Sequence, residues 1–253
     1  MEKEEAIFQK HIMDLSRKAY QNHQYTFSGF LSMPEQDSVL QLKDSRQLLM
    51  NPDLYGGCEQ AERRMVRFGS MEEFGYEEEF PITGIYVKPL IEKFADTLSH
   101  RDVLGALMHL GIERSTIGDI FVDDKSAYIY CTKHIAPYIL QELCQIKHTH
   151  VSCIDQPSQI ETVQKDPFKV EIIVSSLRVD GVVAGLYHMS RSRTLDLFRE
   201  KKVFLNGRIC ENNSYLLKEC DQVSVRGFGK FTFIKEAYHT RKDKFGLSIE
   251  KYE

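Results

Sequence analysis

Hydrophobic and polar positions change their period along the chain and divide it into three parts. In the first part, residues 1–80, apolar positions at helical spacing predict one helix over 4–22 and another over 36–50. The turn signals Asn51-Pro52 and Gly56-Gly57 separate these helices from a charged stretch that ends at Phe68. We interpret this part as an N-terminal α+β region.

The second part, residues 81–156, has the clearest topology. Alternating apolar positions predict strands, and helical spacing between them predicts two helices, the first capped by Ser99 and stopped by Gly111. The predicted elements are strands over 82–87, 119–122, 127–131 and 149–154, and helices over 100–110 and 133–145. Their order, β-α-β-β-α-β, is typical of a ferredoxin-like module similar to RNA-recognition domains, although many enzymes and ligand sensors share it.

A polar linker, residues 157–172, precedes the third part, residues 173–253. A strand-like run ends at Val174, and Ser175 or Ser176 is a candidate cap for a helix with Val179, Val182, Val183 and Leu186 on its apolar face. Ser190 is the expected cap of a second helix. Asn206-Gly207 predicts a type I′ hairpin, and strands are expected over 222–226 and 230–234. The whole chain is therefore expected to be α+β.

Charge is distributed unevenly along the chain. Residues 181–253 carry 14 Lys and Arg against 9 Asp and Glu, whereas residues 1–180 carry 19 against 28. A basic module on an acidic body is typical of a surface that binds a polyanion, although a chance fluctuation of surface charge has the same composition. The acidic N-terminus does not resemble a signal peptide, and no apolar run reaches membrane-spanning length. We expect a cytoplasmic location and six reduced, scattered cysteines.

The basic residues of the third part form the candidate site. Ser190-Arg-Ser-Arg193 at a helix start combines free backbone N–H groups, the helix dipole and two guanidiniums, all of which favour phosphate. The alternative is a solvated helix start with ordinary surface lysines. The candidate RNA-binding residues are Arg178, Ser190, Arg191, Ser192, Arg193, Lys201, Lys202, Asn206, Arg226, Lys230, Arg241 and Lys242, with Lys244 close behind them.

Three motifs in the central module offer other chemistry. Tyr128 and Tyr130 alternate on one predicted strand and could stack unpaired bases, but a face covered by a neighbouring domain would bury tyrosines too. Cys144, His148, His150 and Cys153 lie close in sequence, yet their spacing matches no common zinc finger, so no metal is expected. His100-Arg-Asp102 spells a kinase triplet without the other kinase motifs, and we interpret it as a charged helix start.

The third part resembles the RNA-binding domain named after ribosomal small-subunit protein S-four. The resemblance rests on Arg178-Val-Asp180, Ser190-Arg-Ser192, Lys201-Lys-Val-Phe-Leu-Asn-Gly207 and Cys220-Asp221, in an order and spacing that span about 50 residues. Lys202 and Cys220 stand where that family often has Gly.

Nearly the whole chain resembles the bacterial YlmH family. The matching stretches are 56–63, 98–106, 110–114, 118–120, 175–180 and 224–230. This resemblance implies a cytoplasmic protein that associates with the large ribosomal subunit, and a role in rescuing stalled nascent chains in which it holds peptidyl-tRNA. It also implies a link to cell division and a second RNA-binding domain in the central module.

We expect the partners to be structured RNA, namely ribosomal RNA and tRNA, with no membrane, no small-molecule substrate, no cofactor and no catalytic residue. The protein is expected to be a monomer. Two alternatives remain at this point. One is an RNA-modifying enzyme similar to pseudouridine synthases or methyltransferases, although neither a synthase Asp motif nor a Gly-rich cofactor loop occurs before residue 173. The other is a division-site scaffold whose RNA binding is incidental.

Overall fold

The computed structural model describes residues 2–156, 167–240 and 244–252 of the chain. The helices are α1 (Glu2–Asn22), α2 (Met33–Asp44), α3 (Met71–Phe74), α4 (His100–His109), α5 (Ala136–Glu142), α6 (Val179–Leu186) and α7 (Arg191–Arg199). The strands are β1 (Thr26–Phe27), β2 (Pro52–Tyr55), β3 (Met65–Phe68), β4 (Ile82–Pro89), β5 (Ile117–Asp123), β6 (Ser126–Thr132), β7 (Gln145–Ile146), β8 (Thr149–Asp155), β9 (Phe168–Val174), β10 (Val203–Leu205), β11 (Arg208–Ile209), β12 (Gln222–Val225), β13 (Gly229–His239) and β14 (Phe245–Tyr252). The class is α+β, as predicted.

The chain divides into two compact units, Met1–Gln164 and Lys165–Glu253. The N-terminal region and the central module, predicted as separate domains, both lie in the first unit. The N-terminal region contains the three-stranded sheet β1-β3-β2, and α1 and α2 pack on it around Ile12, Val39 and Phe68. The second predicted helix ends at Asp44 rather than at residue 50.

The central module has the predicted ferredoxin-like topology. Its sheet has the order β5-β6-β4-β8-β7, with every neighbouring pair antiparallel. Helices α4 and α5 cover one face of this sheet, and Ile85, Leu107 and Ile139 are fully buried between them. Ser99 caps α4 through a reciprocal capping box with Asp102, and Gly111 follows the helix with a positive φ of 77°. The short β7 at the edge extends the module beyond the predicted elements.

The N-terminal region covers the other face of this sheet. Tyr128 and Tyr130 are 0% and 1% exposed, and they pack against Phe30, Cys58 and Met65. The prediction that these tyrosines form a platform for stacking bases is therefore wrong, and the alternative, a face covered by neighbouring structure, holds. Burial raises the pKa of the Tyr128 hydroxyl to about 12.

An arginine and an aspartate hold the N-terminal region to the central module. The Arg63 guanidinium donates to the carbonyl oxygens of Ile117 (3.1 Å) and Phe30 (2.8 Å). The Asp119 carboxylate accepts hydrogen bonds from the backbone N–H groups of Glu62 and Arg63. The contacts with Ile117 and Asp119 join stretches that lie more than 50 residues apart in the sequence.

The second unit is a six-stranded sheet with two helices on one face. The strand order is β11-β10-β12-β13-β14-β9, and the core contains Val182, Val183, Leu197 and Leu247. The first strand, β9, begins at Phe168, inside the range 157–172 assigned to the linker, because residues 168–174 pair with β14 along its whole length. Strand β14 itself was not predicted.

The local predictions for this unit differ in outcome. The four apolar residues of α6 are all buried, as expected, but α6 is preceded by Arg178 and neither Ser175 nor Ser176 caps it. Ser190 does cap α7. Asn206 and Gly207 have φ values of 51° and 80°, which confirms the predicted type I′ hairpin because both turn residues need positive φ.

Candidate nucleic-acid interface

The start of α7 presents the basic motif to solvent. The Ser190 hydroxyl accepts a hydrogen bond from the Arg193 N–H (3.2 Å), and the Thr194 hydroxyl donates to the Ser190 carbonyl (3.1 Å). Ser190 is therefore the structural cap, whereas Arg191, Ser192 and Arg193 are exposed. A capped helix start with exposed guanidiniums favours phosphate, because the helix dipole and the side-chain charges have the same sign there.

Helical geometry places the two arginines of the motif on different sides of α7. Each residue turns the helix by about 100°, so Arg191 and Arg193 lie about 200° apart. Arg191 shares its side with Leu195 and Arg199, and Arg193 shares its side with Glu200 just beyond the helix. The candidate site therefore consists of two flanks, which we call the Arg191 flank and the Arg193 flank.

The Arg191 flank opens into a groove of about 620 Å³ between α6, α7 and the end of β9. Three cationic side chains line this groove, those of Arg178, Arg191 and Lys244. Gly181 and Gly185 face the groove from α6, so no side chain fills the space there. The groove thus brings together three basic residues that lie far apart in the sequence.

A hydrogen-bonded network occupies one wall of this groove. The Asp180 carboxylate accepts hydrogen bonds from the Arg178 guanidinium, from the Asn213 side-chain amide (2.9 Å) and from the Gly181 N–H (2.7 Å). Burial of Asp180 acts to raise its pKa, but these three sets of donors together hold the pKa below its ordinary value. Arg178 keeps about two-fifths of its side chain exposed, so it can still contact an anion.

A second groove of about 370 Å³ continues the Arg191 flank toward the end of α7. It is lined by Leu195, Arg199, Lys201 and Glu211, and it shares Leu195 and Asn213 with the first groove. Lys201 lies 3.5 Å from Glu211, with both side chains mostly exposed. An exposed pair of this kind contributes little to stability, so Lys201 can exchange its partner for phosphate.

The Arg193 flank contains Lys202 and Arg226. The Lys202 ammonium lies 2.5 Å from the Glu200 carboxylate, and the Arg226 N–H donates to the Lys202 carbonyl (2.9 Å). The pKa of Glu200 is lowered, first by its hydrogen bond with Lys202 and further by the charge of Arg193. Arg193 therefore lies near this pair, and Arg226 is exposed beside it.

The remaining predicted residues do not join these flanks as exposed groups. The Asn206 side chain donates to Asp221 (2.8 Å) and accepts from the Gln222 N–H (2.9 Å). Both polar groups of this side chain therefore make hydrogen bonds within the protein. Lys230 is 7% exposed, and its ammonium lies 5.3 Å from the centre of the Tyr252 ring. Arg241 and Lys242 lie outside the described residues.

The sequence reasoning missed Asn213 and Arg199. Asn213 joins both grooves to Asp180, and Arg199 lies one turn from Leu195 on the Arg191 flank. The helical period of α7 contains a signal for Arg199, since Arg191, Leu195 and Arg199 repeat every four residues. The local sequence around Asn213 carries no comparable signal, because its contact is with a residue 33 positions earlier.

Residues 2–156, 167–240 and 244–252 contain neither a cluster of metal ligands nor a membrane-spanning helix. This part of the chain contains no group of three or more His, Cys, Asp or Glu side chains positioned to hold a metal ion, and Cys144, His148, His150 and Cys153 form no such group. No helix in the same residues combines the length and the apolar character that crossing a bilayer requires.

Comparison with known proteins finds similarity in the central module and along nearly the whole chain. Residues 76–159, the central module, match the family model described as "Putative RNA-binding domain in YlmH". The chain is 27% identical over 252 residues to the "Ribosome-associated protein quality control protein P2" of Bacillus subtilis (strain 168), a match that covers 98% of this chain and 96% of that relative. It is also similar to a solved structure, the "Cell division protein ylmH from Streptococcus pneumoniae", with 21% identity, a TM-score of 0.49, and coverage of 61% of this chain and 92% of that one.

These relatives are named as RNA-binding or ribosome-associated proteins. The family model covers the ferredoxin-like module, and the likeness to the Bacillus protein extends through both units. The resemblance to the YlmH family predicted from short sequence motifs is thereby confirmed: the central module matches the YlmH domain model, and nearly the whole chain is similar to the Bacillus protein.

Proposed function

We propose that this protein is a non-catalytic RNA-binding adaptor that associates with the large ribosomal subunit and tRNA. In this proposal it acts in the cytoplasm, as a monomer, in the quality control of stalled nascent chains. The observation that carries the proposal is the pair of basic flanks on α7, in which Arg178, Arg191 and Lys244 line one side and Arg193, Lys202 and Arg226 lie on the other.

The charge and placement of these flanks suit a nucleic-acid backbone. Phosphates recur along both strands of a helix, and a protein that neutralises several of them needs exposed Lys and Arg at more than one place. Arg191 and Arg193 point away from each other on α7, so together they can engage phosphates on two neighbouring strands or turns. The printed name of the Bacillus relative, a ribosome-associated quality control protein, supports the ribosome as the source of this RNA.

Co-sedimentation with ribosomal subunits on a low-salt gradient tests the proposal. Wild type should travel with the large subunit, whereas a variant with Arg191→Ala, Arg193→Ala, Lys201→Ala and Lys202→Ala should stay at the top. A matched control removes four exposed lysines that belong to neither flank, Lys10→Ala, Lys18→Ala, Lys218→Ala and Lys235→Ala. It should travel like wild type, since the loss depends on position rather than on total charge.

Two outcomes would contradict the proposal. If wild type does not co-sediment, the protein is not a ribosome-binding adaptor under these conditions and a different role must be sought. If the flank variant travels with the large subunit as well as wild type does, the α7 flanks are not the binding site. Circular dichroism of each variant establishes that a loss of binding does not come from unfolding.

A further inference from the structure

An exposed phenylalanine lies at the turn between β12 and β13. The φ values of Gly227 (86°) and Gly229 (115°) are both positive, and the Phe228 N–H donates to the Val225 carbonyl (2.9 Å). This tight turn places Phe228 at its tip, where 40% of the residue remains exposed. One exposed ring is ordinary, but a ring that belongs to a group of exposed aromatic and basic side chains is typical of a binding surface.

Phe228 belongs to a row of three aromatic side chains and one lysine. We call this set the aromatic row: Phe228, Tyr187, Lys251 and Phe168. The ring centres of Phe228 and Tyr187 lie 5.9 Å apart. The Lys251 ammonium lies 5.7 Å from the Tyr187 ring centre and 5.5 Å from that of Phe168, which is 41% exposed. Tyr187 also packs at 6.3 Å on the fully buried Phe231, so the row is anchored to the core.

The aromatic row continues from the Arg193 flank. Arg226 is exposed at the start of the same turn, and its N–H donates to the Lys202 carbonyl (2.9 Å). Phe228 follows two residues later. A nucleic-acid strand whose phosphates contact Arg193, Lys202 and Arg226 would therefore reach the exposed ring of Phe228 next.

Exposed rings with cations beside them have the chemistry that unpaired nucleotides require. An unstacked base offers its π-face to an aromatic side chain, and the adjoining phosphates favour Arg and Lys. A base-paired duplex offers neither face, because its bases are stacked within the helix. The row is thus better suited to a loop, a bulge or a strand end than to a continuous helix.

We propose that Phe228 stacks on an unpaired base of the bound RNA while Arg226 and Lys251 contact the neighbouring phosphates. This inference rests on the proposed RNA-binding function. It names the part of the RNA that is recognised, a single-stranded segment next to the RNA helix that the α7 flanks bind.

The test compares two RNAs and three variants of the full chain. One RNA is a hairpin with an unpaired loop that contains 2-aminopurine, and the other is a blunt duplex with the same stem. Phe228→Ala should weaken binding to the hairpin by roughly tenfold, because stacking of one base contributes about this factor to affinity. It should also abolish the change in 2-aminopurine fluorescence that accompanies stacking. Binding to the duplex should not change. Phe228→Tyr should bind both RNAs like wild type.

Tyr238→Ala is the matched control, since Tyr238 is 44% exposed on β13, the strand that follows Phe228, and lies outside the aromatic row. Equal binding of the hairpin by wild type and Phe228→Ala would overturn the stacking role and leave the α7 flanks unaffected. Equal losses for hairpin and duplex would also overturn it. If Phe228→Ala binds the hairpin like wild type but no longer co-sediments with ribosomes, Phe228 contacts a protein rather than RNA. Failure of wild type to bind either RNA would overturn the proposed function itself.

Discussion

The Arg178 guanidinium donates two hydrogen bonds to the carboxylate of Asp180, from Nε to Oδ1 (3.1 Å) and from Nη2 to Oδ2 (2.7 Å). The same carboxylate accepts from Asn213, and the Asp180 N–H donates to the Asn213 carbonyl (3.2 Å). Arg178-Val-Asp180 therefore joins the start of α6 to the loop that follows β11. From the sequence, Arg178-Val-Asp180 predicts an RNA contact. Asp180, one of its two charged residues, instead has a structural role.

We expect Asp180→Ala to lower the free energy of unfolding of the second unit by about 1–3 kcal/mol. The reason is that Asn213, Arg178 and the Gly181 N–H would lose an acceptor in a partly buried site. Chemical denaturation measures the change, and hydrogen exchange of peptides from 167–240 assigns it to this unit. Asp196→Ala, which removes an exposed pair with Arg199, should change stability by less than about 0.5 kcal/mol.

The contribution of Asp180 should depend on pH in one direction. Its pKa in the folded protein is lower than the ordinary value of 3.8, so the folded state binds this proton less tightly than the unfolded state does. The stabilisation is complete above the unfolded pKa and is lost as the pH falls through the lower folded pKa. The stability difference between wild type and Asp180→Ala should therefore be largest near pH 7 and shrink below about pH 4. A difference that grows on acidification would contradict this assignment.

Elements with local signals were predictable from the sequence, and elements defined by distant partners were not. Helix α6 has an apolar face of four residues, and Asn206-Gly207 specifies its own hairpin, so both could be read locally. Strand β14 pairs with β9, more than 70 residues earlier in the chain. The two-residue β1 is too short to show any period.

The candidate site was predictable in its composition but not in its arrangement. The exposed basic motif at the capped start of α7 follows from Ser190 and the helix pattern. The burial of Lys230 and the commitment of Asn206 to Asp221 depend on sheet pairings that no local pattern specifies. The burial of Tyr128 and Tyr130 likewise depends on which segment covers the sheet, and alternation alone cannot distinguish a covered face from an open one.

Tyr130 should stabilise the first unit rather than bind RNA. Tyr130→Ala is expected to lower the free energy of unfolding by about 3–5 kcal/mol, because it removes a fully buried ring. Tyr130→Phe keeps the ring and should cost less than about 1.5 kcal/mol. Chemical denaturation gives both values, and hydrogen exchange in residues 2–156 localises them. Binding of RNA by still-folded Tyr130→Phe should equal that of wild type, because the Tyr130 hydroxyl is buried. A selective loss of RNA binding would mean that this hydroxyl contacts RNA.

Gly57 should tolerate no side chain, because the Tyr130 ring lies against it. A Cβ built on Gly57 would lie 2.4 Å from a ring carbon of Tyr130, and the Gly57 φ of 101° is itself unfavourable for other residues. We expect Gly57→Ala to be destabilising by more than about 1 kcal/mol in chemical denaturation. Gly105→Ala is the matched control, since nothing lies within 4 Å of a Cβ there. Gly105→Ala should be neutral or stabilising in the helix, and equal losses at the two glycines would contradict the packing argument.

The two flanks of α7 should contribute separately to RNA affinity. Arg191→Ala with Lys244→Ala empties the first groove of two cations, and Arg193→Ala with Arg226→Ala removes two from the other flank. If each residue contacts one phosphate, each double variant should reduce the slope of log affinity against log salt concentration by about two. Binding titrations over a range of salt concentrations measure this slope directly. Affinity should fall in both variants at low salt, because counterion release supplies much of the binding free energy.

Combining the four substitutions distinguishes one continuous interface from two alternative ones. Residues on opposite sides of α7 are separated by the helix, so their effects should add when one RNA contacts both flanks. The slope of log affinity against log salt concentration should then be smaller by about four in the quadruple variant than in wild type. If instead the quadruple variant behaves like one of the double variants, only that flank contacts RNA, and the other cations are ordinary surface charge. Whether the changes in salt slope add therefore decides whether RNA contacts α7 on both sides or on one.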